Sequence, residues 1–348
     1  MVKFTYLDRH WANIKKDYNK NLDELWSQGK VVYEDLNVVD IIKQHTNRKY
    51  VTLTNSCTDA ITMMIEASVK TGSEIICPAY SYYATASAIT RAGCKPKFVD
   101  VDKNYHLNLD KIEVGPNTKG LIYVSLFGNP FEYKKVLDFC KAHNIICFED
   151  AAQSFGSSYK NTKSGSAGLC SALSFSPSKP SPTFGFLGAM ATDDRMLFDQ
   201  VNDAKKHGIN NGSIGLNSNP SSALTLQLQH SLALNEMCQQ HRSDHAKAYD
   251  EGLKDIVTIP PRQGKHNWHK YVIQTDKRNK LMSYLKQYSI ETKIHYVKLL
   301  PQHKMYHKHQ LYPIASKLAE TSLSLPIDPW MTNNERDSVI EQIRRYFT

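Results

Sequence analysis

Two segments of the chain carry polar side chains whose types and positions could do chemistry together. The apolar run 145–148 ends in Glu149 and Asp150, and a later apolar run, 172–175, is followed by Lys179. Prolines flank this lysine on both sides, at Pro177, Pro180 and Pro182. A carboxylate at a strand end and a lysine on a rigid loop are typical of a cofactor held at the carboxyl edge of a sheet. The two segments therefore predict a cofactor site.

Each of these residues also has a purely structural explanation. Asp150 could cap a helix that begins at Ala151, because aspartate is a favoured capping residue. Lys179 could be one of many solvated basic residues, since the chain contains 43 lysines and arginines. The functional interpretation therefore depends on a third segment upstream.

The third segment, between Tyr50 and Val69, has the pattern of a phosphate-binding turn. A β-rich run, 50–54, leads into the polar residues 55–58. Apolar residues then recur with helical spacing, at Ile61, Met64, Ile65 and Val69. Free backbone N–H groups at the start of a helix bind anions. An ordinary capping turn would look the same, so this segment supports a phosphate site only together with the other two.

Alternating strands and helices must position these segments. The pattern predicts strands at 51–54, 74–77, 97–101, 120–126 and 145–149, and helices at 58–70, 83–92 and 131–142. Repeated strand–helix units indicate a mainly parallel sheet covered by helices on both faces. The fold class is therefore α/β.

The remaining residues predict an N-terminal arm and a smaller second domain. Residues 1–30 have the pattern of an amphipathic helix, and a long helix is expected from about Ser221 to Asp250. Beyond it we expect strands at 270–275 and 291–296 and helices at 277–288 and 334–347. We predict a large domain over 1–240, including the arm 1–30, and a small α+β domain over 241–348.

Composition narrows the class of protein. Of the 348 residues, 41% are hydrophobic and 22% are charged, which is typical of a soluble globular chain. We expect no membrane span and no signal peptide, since no apolar run is long enough for either. Seven scattered cysteines favour a reducing, cytoplasmic compartment. The net charge of +9 could suggest nucleic acid, but the basic residues are dispersed and would equally attract a nucleotide diphosphate.

Several blocks of the sequence resemble, in order, those of the DegT/DnrJ/EryC1/StrS sugar aminotransferases, which are fold-type I enzymes dependent on pyridoxal 5′-phosphate. The blocks are NSCTDAI, EIICPAYSYYATASAITRAGCKPKFVDVD, FEDAAQSFG, LSFSPSK, GLN, KIHYVKLLPQH and SLSLPIDPWMTNNE. They extend over nearly the whole chain. The resemblance implies a mainly parallel sheet of the seven-stranded type in the large domain and a smaller C-terminal domain.

The resemblance also assigns roles around the cofactor ring. Lys179 would bond to the cofactor aldehyde and move the substrate proton, for which its amine must be neutral. Asp150 would pair with the pyridine nitrogen and keep it protonated. Tyr82 would stack on the ring, and Gln153 would lie near its opposite face or its 3′ oxygen.

Other matching positions would hold the phosphate and the sugar. Cys57, Thr58 and Ser174 would hold the phosphate, and Asn217 would reach it from a partner subunit, which implies a homodimer with shared sites. A last group matches late family positions near the sugar and nucleotide: His295, Tyr296 and His303. The four histidines of segment 295–309 fit no metal-ligand template, so we expect no metal.

Some positions depart from the family pattern. The sequence Gly185-Phe186-Leu187-Gly188 replaces a usual GDGG, and Asn219 stands in place of an arginine. Cys57, Phe155 and Pro180 are also unusual. These changes affect the expected substrate contacts and the carboxylate site of the amino donor, and they leave the cofactor core intact. The retained Lys179 argues against the deoxygenating branch of the family, in which a histidine occupies this position.

The expected activity is amino transfer to a nucleotide-linked 4-keto-6-deoxy sugar, with L-glutamate as donor. The product would be a 4-amino-4,6-dideoxy sugar of the viosamine or perosamine type, for a surface glycan. We favour UDP or dTDP as the nucleotide. A 3-keto sugar is the nearest alternative. A non-catalytic regulatory protein with the same fold is a second alternative, and a nucleic-acid-binding protein a third.

Overall fold

The structure is a computed structural model that describes residues 1–29, 36–210, 212–306 and 310–348. A seven-stranded sheet forms the centre of its larger part. The strands are β1 (Tyr50–Thr54), β2 (Glu74–Pro78), β3 (Lys95–Val99), β4 (Thr118–Val124), β5 (Ile146–Asp150), β6 (Cys170–Ser174) and β7 (Gly188–Thr192). Their order is β1-β7-β6-β5-β4-β2-β3. Strand β7 runs antiparallel to both neighbours, and the other pairs are parallel. The predicted mainly parallel α/β sheet is confirmed.

Helices cover both faces of this sheet. They are α1 (Leu7–Ser27), α2 (Leu36–Thr46), α3 (Cys57–Ser68), α4 (Tyr83–Arg91), α5 (Tyr133–Ala142), α6 (Arg195–Ala204) and α7 (Ser222–Ala233). The apolar face predicted for α3, including Ile61 and Met64, is buried against one face of the sheet. Val38 of α2 and Leu228 of α7 are buried in the cluster on the other face. Burial on both faces explains why strands such as β5 and β6 are almost continuously apolar.

Directions of the strands bring the sequence motifs to one edge of the sheet. Strands β1, β5 and β6 run the same way, so their last residues, Thr54, Asp150 and Ser174, lie at the same edge. Gly188 begins the antiparallel strand β7 between two of them and pairs with both Thr54 and Ser174.

The C-terminal part has its own apolar core around a two-stranded antiparallel sheet. This sheet pairs β8 (Tyr271–Gln274) with β9 (Ser322–Leu325). The accompanying helices are α8 (Asn235–Leu253), α9 (Arg278–Gln287), α10 (Pro313–Thr321) and α11 (Asn333–Phe347). Helix α8 runs through residue 240, and the division of the chain into domains 1–240 and 241–348 stays a prediction. None of the described helices has the length and apolar character needed to cross a bilayer.

Two predicted helices differ in the structure, and one helix was not predicted. The helix expected over 1–30 is α1, which is shorter; residue 30 lies outside the described residues. The long helix expected from Ser221 to Asp250 is two helices that meet at Leu234, beside Asn235, whose side chain accepts a hydrogen bond from Ser181 (3.0 Å). Helix α2 falls in a region for which no element was predicted.

The strand expected at 291–296 is wrong. Within that segment only Lys293 pairs with β9, through Ser324. Side-chain hydrogen bonds replace the ladder beyond it: His295 Nδ1 lies 2.8 Å from Ser324 Oγ, and Tyr296 N donates to Tyr80 Oη (3.0 Å). These bonds turn the segment toward the edge of the large sheet.

Candidate active site

A cleft of about 390 Å³ lies at the carboxyl edge of the large sheet, where the C-terminal part packs against it. This volume is within the range of small-molecule sites. Nine of the eleven residues predicted to act in the site line the cleft: Cys57, Thr58, Tyr82, Asp150, Gln153, Ser174, Lys179, His295 and Tyr296.

The other two predicted residues lie outside the cleft. Asn217 is exposed and forms a β-bridge with Lys206, next to Ser218, whose backbone carbonyl accepts a bond from Asn55 N (2.9 Å). His303 is half-buried, with its ring 4.7 Å from that of Tyr83. His307 and His309, which completed the histidine-rich segment, lie outside the described residues.

Asp150 is held in place by two hydrogen bonds that favour its ionised form. Its Oδ2 accepts a hydrogen bond from Thr85 Oγ1 (2.7 Å), and its Oδ1 accepts one from Ala152 N (3.1 Å). Burial raises the pKa of this carboxyl group, and the two donors and the Lys179 ammonium oppose that rise. The carboxylate is 5% exposed, so a cationic ring nitrogen in the cleft would meet little competition from water.

Lys179 is poised to act as a neutral amine. Burial lowers the pKa of its ammonium, which the nearby Asp150 and Cys57 partly offset by favouring the charged form. A lowered pKa is what a lysine nucleophile or proton carrier needs. Its loop is anchored to α8, because Ser181 donates to Asn235 (3.0 Å) and Arg242 donates to the carbonyl of Pro180 (3.2 Å).

The start of α3 provides an anion site. The first N–H groups of a helix have no intrahelical acceptor. Ser56 caps the helix by accepting from Asp59 N (3.0 Å), which leaves the N–H groups of Cys57 and Thr58 at the cleft. Gly188 packs against this turn so closely that a Cβ there would lie 2.3 Å from Cys57 N.

Gln153 joins the two parts of the molecule. Its Nε2 donates to Tyr296 Oη (3.1 Å), and its Oε1 accepts from Phe127 N (3.0 Å). His269 Nδ1 lies 3.1 Å from the same Oε1, and His269 Nε2 lies 2.8 Å from the carbonyl oxygen of Ser178. Burial lowers the pKa of His269, and a neutral imidazole donates to only one of these two oxygens at a time.

Tyr82 and His295 stand at the sides of the cleft. The Tyr82 ring is 55% exposed and lies 5.8 Å from the ring of Tyr296. Burial, together with the cations Lys270, Lys293 and Lys179, lowers the pKa of His295 to about 3, so this imidazole is neutral at physiological pH.

Several residues of the cleft had no local signal in the sequence. They are Phe4, His269, Lys270 and Lys293. Thr85, which lies behind the cleft and donates to Asp150, was not predicted either. Thr85 lies within a matching family block, where its position one helical turn after Ser81 could have suggested a partner for Asp150. The lysines and Phe4 come from distant segments, and only their packing places them in the cleft.

The residues present fit pyridoxal phosphate. The cleft combines a buried carboxylate at Asp150, a lysine of lowered pKa at Lys179, and free N–H groups beside the hydroxyls of Ser174 and Ser176. These are suitable partners for a pyridine nitrogen, an aldehyde and a phosphate, respectively.

Comparison with known proteins agrees with this chemistry. The model of the DegT/DnrJ/EryC1/StrS aminotransferase family matches residues 19–344. A DegT DnrJ EryC1 StrS aminotransferase from Brucella abortus superimposes with a TM-score of 0.93 over 100% of both chains, at 27% identity.

Relatives of similar length differ in their named activities. The chain is 28% identical to a "pleiotropic regulatory protein" of Geobacillus stearothermophilus, covering 98% of this chain and 97% of the relative. It is 29% identical to the UDP-2-acetamido-2-deoxy-3-oxo-D-glucuronate aminotransferase of Pseudomonas aeruginosa (95% and 96% covered). It is 26% identical to the GDP-perosamine synthase of Escherichia coli O157:H7 (96% of each). The family resemblance inferred from the motifs is confirmed: the chain belongs to the DegT/DnrJ/EryC1/StrS aminotransferase family, whose members depend on pyridoxal phosphate.

Proposed function

We propose that this protein transfers the amino group of L-glutamate to a nucleotide-linked 4-keto-6-deoxy sugar. The observation that carries the proposal is the meeting of Asp150, Lys179 and the start of α3 in one cleft. The product would be a 4-amino-4,6-dideoxy sugar for a surface glycan, made in the cytoplasm. The GDP-perosamine synthase relative supports this choice of sugar.

Each residue has a defined task in this reaction. When bound, pyridoxal phosphate supplies an electron sink for breaking the bond between a substrate carbon and its hydrogen. The Asp150 carboxylate holds the positive charge of the ring nitrogen, and the Lys179 amine carries the proton. The N–H groups of Cys57 and Thr58, with Ser174, hold the phosphate. Tyr82 stacks on the ring, and Gln153 lies at the opposite face or beside the 3′ oxygen.

A homodimer with shared sites is part of the proposal. Phe186 lines the cleft yet is 71% exposed, and a partner subunit would cover it. Asn217 is exposed and would reach the phosphate of the partner's cofactor. His295, Tyr296 and His303 would lie on the sugar side. A monomer in light scattering with undiminished activity would contradict the shared site.

The first experiment is the visible absorption spectrum of the cofactor-loaded protein, before and after L-glutamate is added. We expect a yellow band that disappears when the amino group is taken up and returns when a nucleotide keto sugar is added. Lys179→Ala should abolish both changes, and Asp150→Asn should bind the cofactor but react at least 100-fold more slowly, as expected when an electron sink is lost. A Lys179→Ala variant that still transfers the amino group would refute the assignment.

A 3-keto sugar is the second candidate substrate. The relative from Pseudomonas aeruginosa, which is named for a 3-oxo-glucuronate, favours it. Nuclear magnetic resonance of the product decides between amination at C-3 and at C-4. A regulatory role is the third candidate, favoured by the Geobacillus relative and by the aromatic residue in Gly185–Gly188. Turnover of any keto sugar would exclude the hypothesis that the protein is a non-catalytic regulator.

A further inference from the structure

Two lysines of the C-terminal part point to a substrate feature beyond the amino group and the ketone. Lys270 directly precedes β8, and Lys293 is bonded to Ser324 of β9 through both backbone groups (3.2 and 2.8 Å). Both lysines line the cleft that contains Lys179. Since β8 and β9 are paired, the two side chains come from one rigid unit.

Both ammonium groups lie near the ring of Phe4. The Nζ atom of Lys270 lies 5.1 Å from the centroid of the Phe4 ring, and that of Lys293 lies 4.9 Å from it. The ring is 4% exposed, and Glu291 fixes its position by accepting a hydrogen bond from Phe4 N (2.8 Å). Cations over an aromatic face are attracted by the ring quadrupole. The ring therefore orients both charges without neutralising either.

Neither ammonium makes a direct ion pair with a described residue, although the Asp328 carboxylate, beyond ion-pair distance, favours the charged form of Lys270. Within residues 1–29, 36–210, 212–306 and 310–348, the side chains of Lys270 and Lys293 make no ion pair or hydrogen bond. The Lys270 side chain is nevertheless 93% buried, since its residue is only 7% exposed. Burial without an ion pair disfavours the ammonium form of Lys270, and a bound anion would stabilise that form.

The position of the pair selects the kind of anion. Lys270 and Lys293 line the same cleft as the reacting lysine. Burial, and after it the nearby Lys179, lowers the pKa of Lys270 to about 7. The cofactor phosphate has its own partners at the start of α3. A nucleotide diphosphate is separated from the keto carbon by the sugar ring. A carboxylate on the reacting molecule itself has the charge and size that suit two lysines in this cleft.

We propose that Lys270 and Lys293, clasping Phe4, form a binding subsite for a carboxylate of the reacting substrate. This inference rests on the proposed aminotransferase function and narrows its substrate class. The carboxylate belongs either to the amino donor, as its second carboxylate, or to the keto sugar, as a uronic acid group; the second case would replace the 6-deoxy sugar proposed above with a keto-uronate. No bond is made or broken at the subsite.

Binding without turnover tests the subsite directly. The cofactor-loaded protein is titrated with glutarate and butyrate, and separately with D-glucuronate and D-glucose, following the visible spectrum and the heat of binding. We expect at least one of the probes with the additional carboxylate, glutarate or D-glucuronate, to bind more tightly than its matched counterpart, butyrate or D-glucose. Lys270→Met and Lys293→Met should each lower the affinity for that probe by roughly 10- to 100-fold, which corresponds to the loss of a hydrogen bond to a charged group.

Two controls separate charge from packing. Lys280→Met removes an exposed positive charge from α9 in the same part of the molecule and should leave binding unchanged. Lys293→Arg keeps the charge and should retain most of the affinity. Equal binding of both members of each probe pair by the wild type, or equal loss in Lys280→Met, would overturn the subsite.

The two half-reactions identify the source of the carboxylate. If the donor supplies it, both methionine variants need a higher concentration of L-glutamate to bleach the visible band, while the concentration of L-glutamine needed is unchanged. If the sugar supplies it, both methionine variants bleach normally with L-glutamate. They then bind a UDP-linked keto-uronate more weakly than the wild type does, while their affinity for its 6-deoxy counterpart is unchanged. If the wild type binds the carboxylate probes but its visible band never bleaches with L-glutamate, the proposed function is contradicted and the subsite is supported. If the band bleaches normally but the protein shows no selectivity for the additional carboxylate, the subsite is contradicted and the proposed function is supported.

Discussion

At the scale of single residues, the site depends on how Asp150 is kept ionised in a buried position. The desolvation that raises the pKa of its carboxyl group is opposed mainly by the hydrogen bond from Thr85. That threonine lies in α4, one turn after Ser81, whose Oγ is 3.2 Å from Thr85 Oγ1. The hydroxyl group of Thr85 therefore favours the ionised form of Asp150, and the hydroxyl group of Ser81 lies within hydrogen-bond distance of Thr85.

Replacing Thr85 with valine should disturb this acid while keeping the shape of the side chain. Without the donor, the pKa of Asp150 rises further, so the acid limb of the pH profile of kcat should move to higher pH. We expect kcat to fall by roughly 10-fold or more, the effect of losing one hydrogen bond to a charged group. Ser87→Ala, on the same helix, is the control; an unchanged pH profile in Thr85→Val would show that Asp150 does not need this donor.

Local sequence predicted those site residues whose role depends on their own segment. Asp150 ends an apolar run, and Lys179 lies between prolines, so both could be recognised without knowing the fold. Lys270 and Lys293 could not, because their significance arises from the Phe4 ring, which lies hundreds of residues away in the sequence. Asn217 and His303 lie outside the cleft of this chain, and their predicted roles stay predictions.

At the scale of elements, the antiparallel strand β7 determines how closely the cofactor edge is packed. It lies between β1 and β6, and its first residue contacts the turn that starts α3. Predictions of most strands and helices of the sheet were confirmed because their apolar patterns are strong. Those that failed, at Leu234 and at 291–296, failed where side-chain hydrogen bonds to distant segments replace the regular backbone pattern.

Gly188→Ala tests this packing. The new Cβ would lie 2.3 Å from Cys57 N and 2.4 Å from the Ser56 carbonyl carbon, and backbone atoms cannot move aside cheaply. We expect the free energy of unfolding to fall by about 1–3 kcal/mol, as in other overpacked sites, and the cofactor to bind more weakly. Gly115→Ala, where the nearest atom would be 4.0 Å away, is the control in thermal unfolding with and without cofactor. Wild-type values for Gly188→Ala would contradict this account of the edge.

At the scale of the whole molecule, neutral buried histidines connect stability to pH. Burial lowers the pKa of His10 and His245 to about 4 and that of His266 and His295 to about 3. Unfolded histidines titrate near 6.5, so below that pH the unfolded chain binds more protons than the folded one. Their contribution to stability is complete above about pH 6.5 and is lost as the pH falls toward 4.

Urea unfolding at a series of pH values checks this expectation. Each such histidine adds at most about 1.4 kcal/mol per pH unit to the decline below pH 6.5. His245→Leu should make the decline shallower by about that amount, while His143→Leu, at an exposed position, should not change it. Equal slopes for the wild type and His245→Leu would show that this imidazole is protonated in the folded state.

The attachment of the N-terminus has a consequence for how the protein is made. Val2 pairs with Ile290, and Phe4 is bonded to Glu291, so these residues have partners that are synthesised much later, 287 residues further along the chain in the case of Phe4. The large sheet can form during synthesis, since its strands all precede residue 193. The side of the cleft formed by Phe4, Lys270 and Lys293 cannot form at that stage, because Phe4 must wait until the C-terminal part has been synthesised. A nascent chain therefore passes through a stage at which Asp150 and Lys179 are in place beside an open, unfinished cleft.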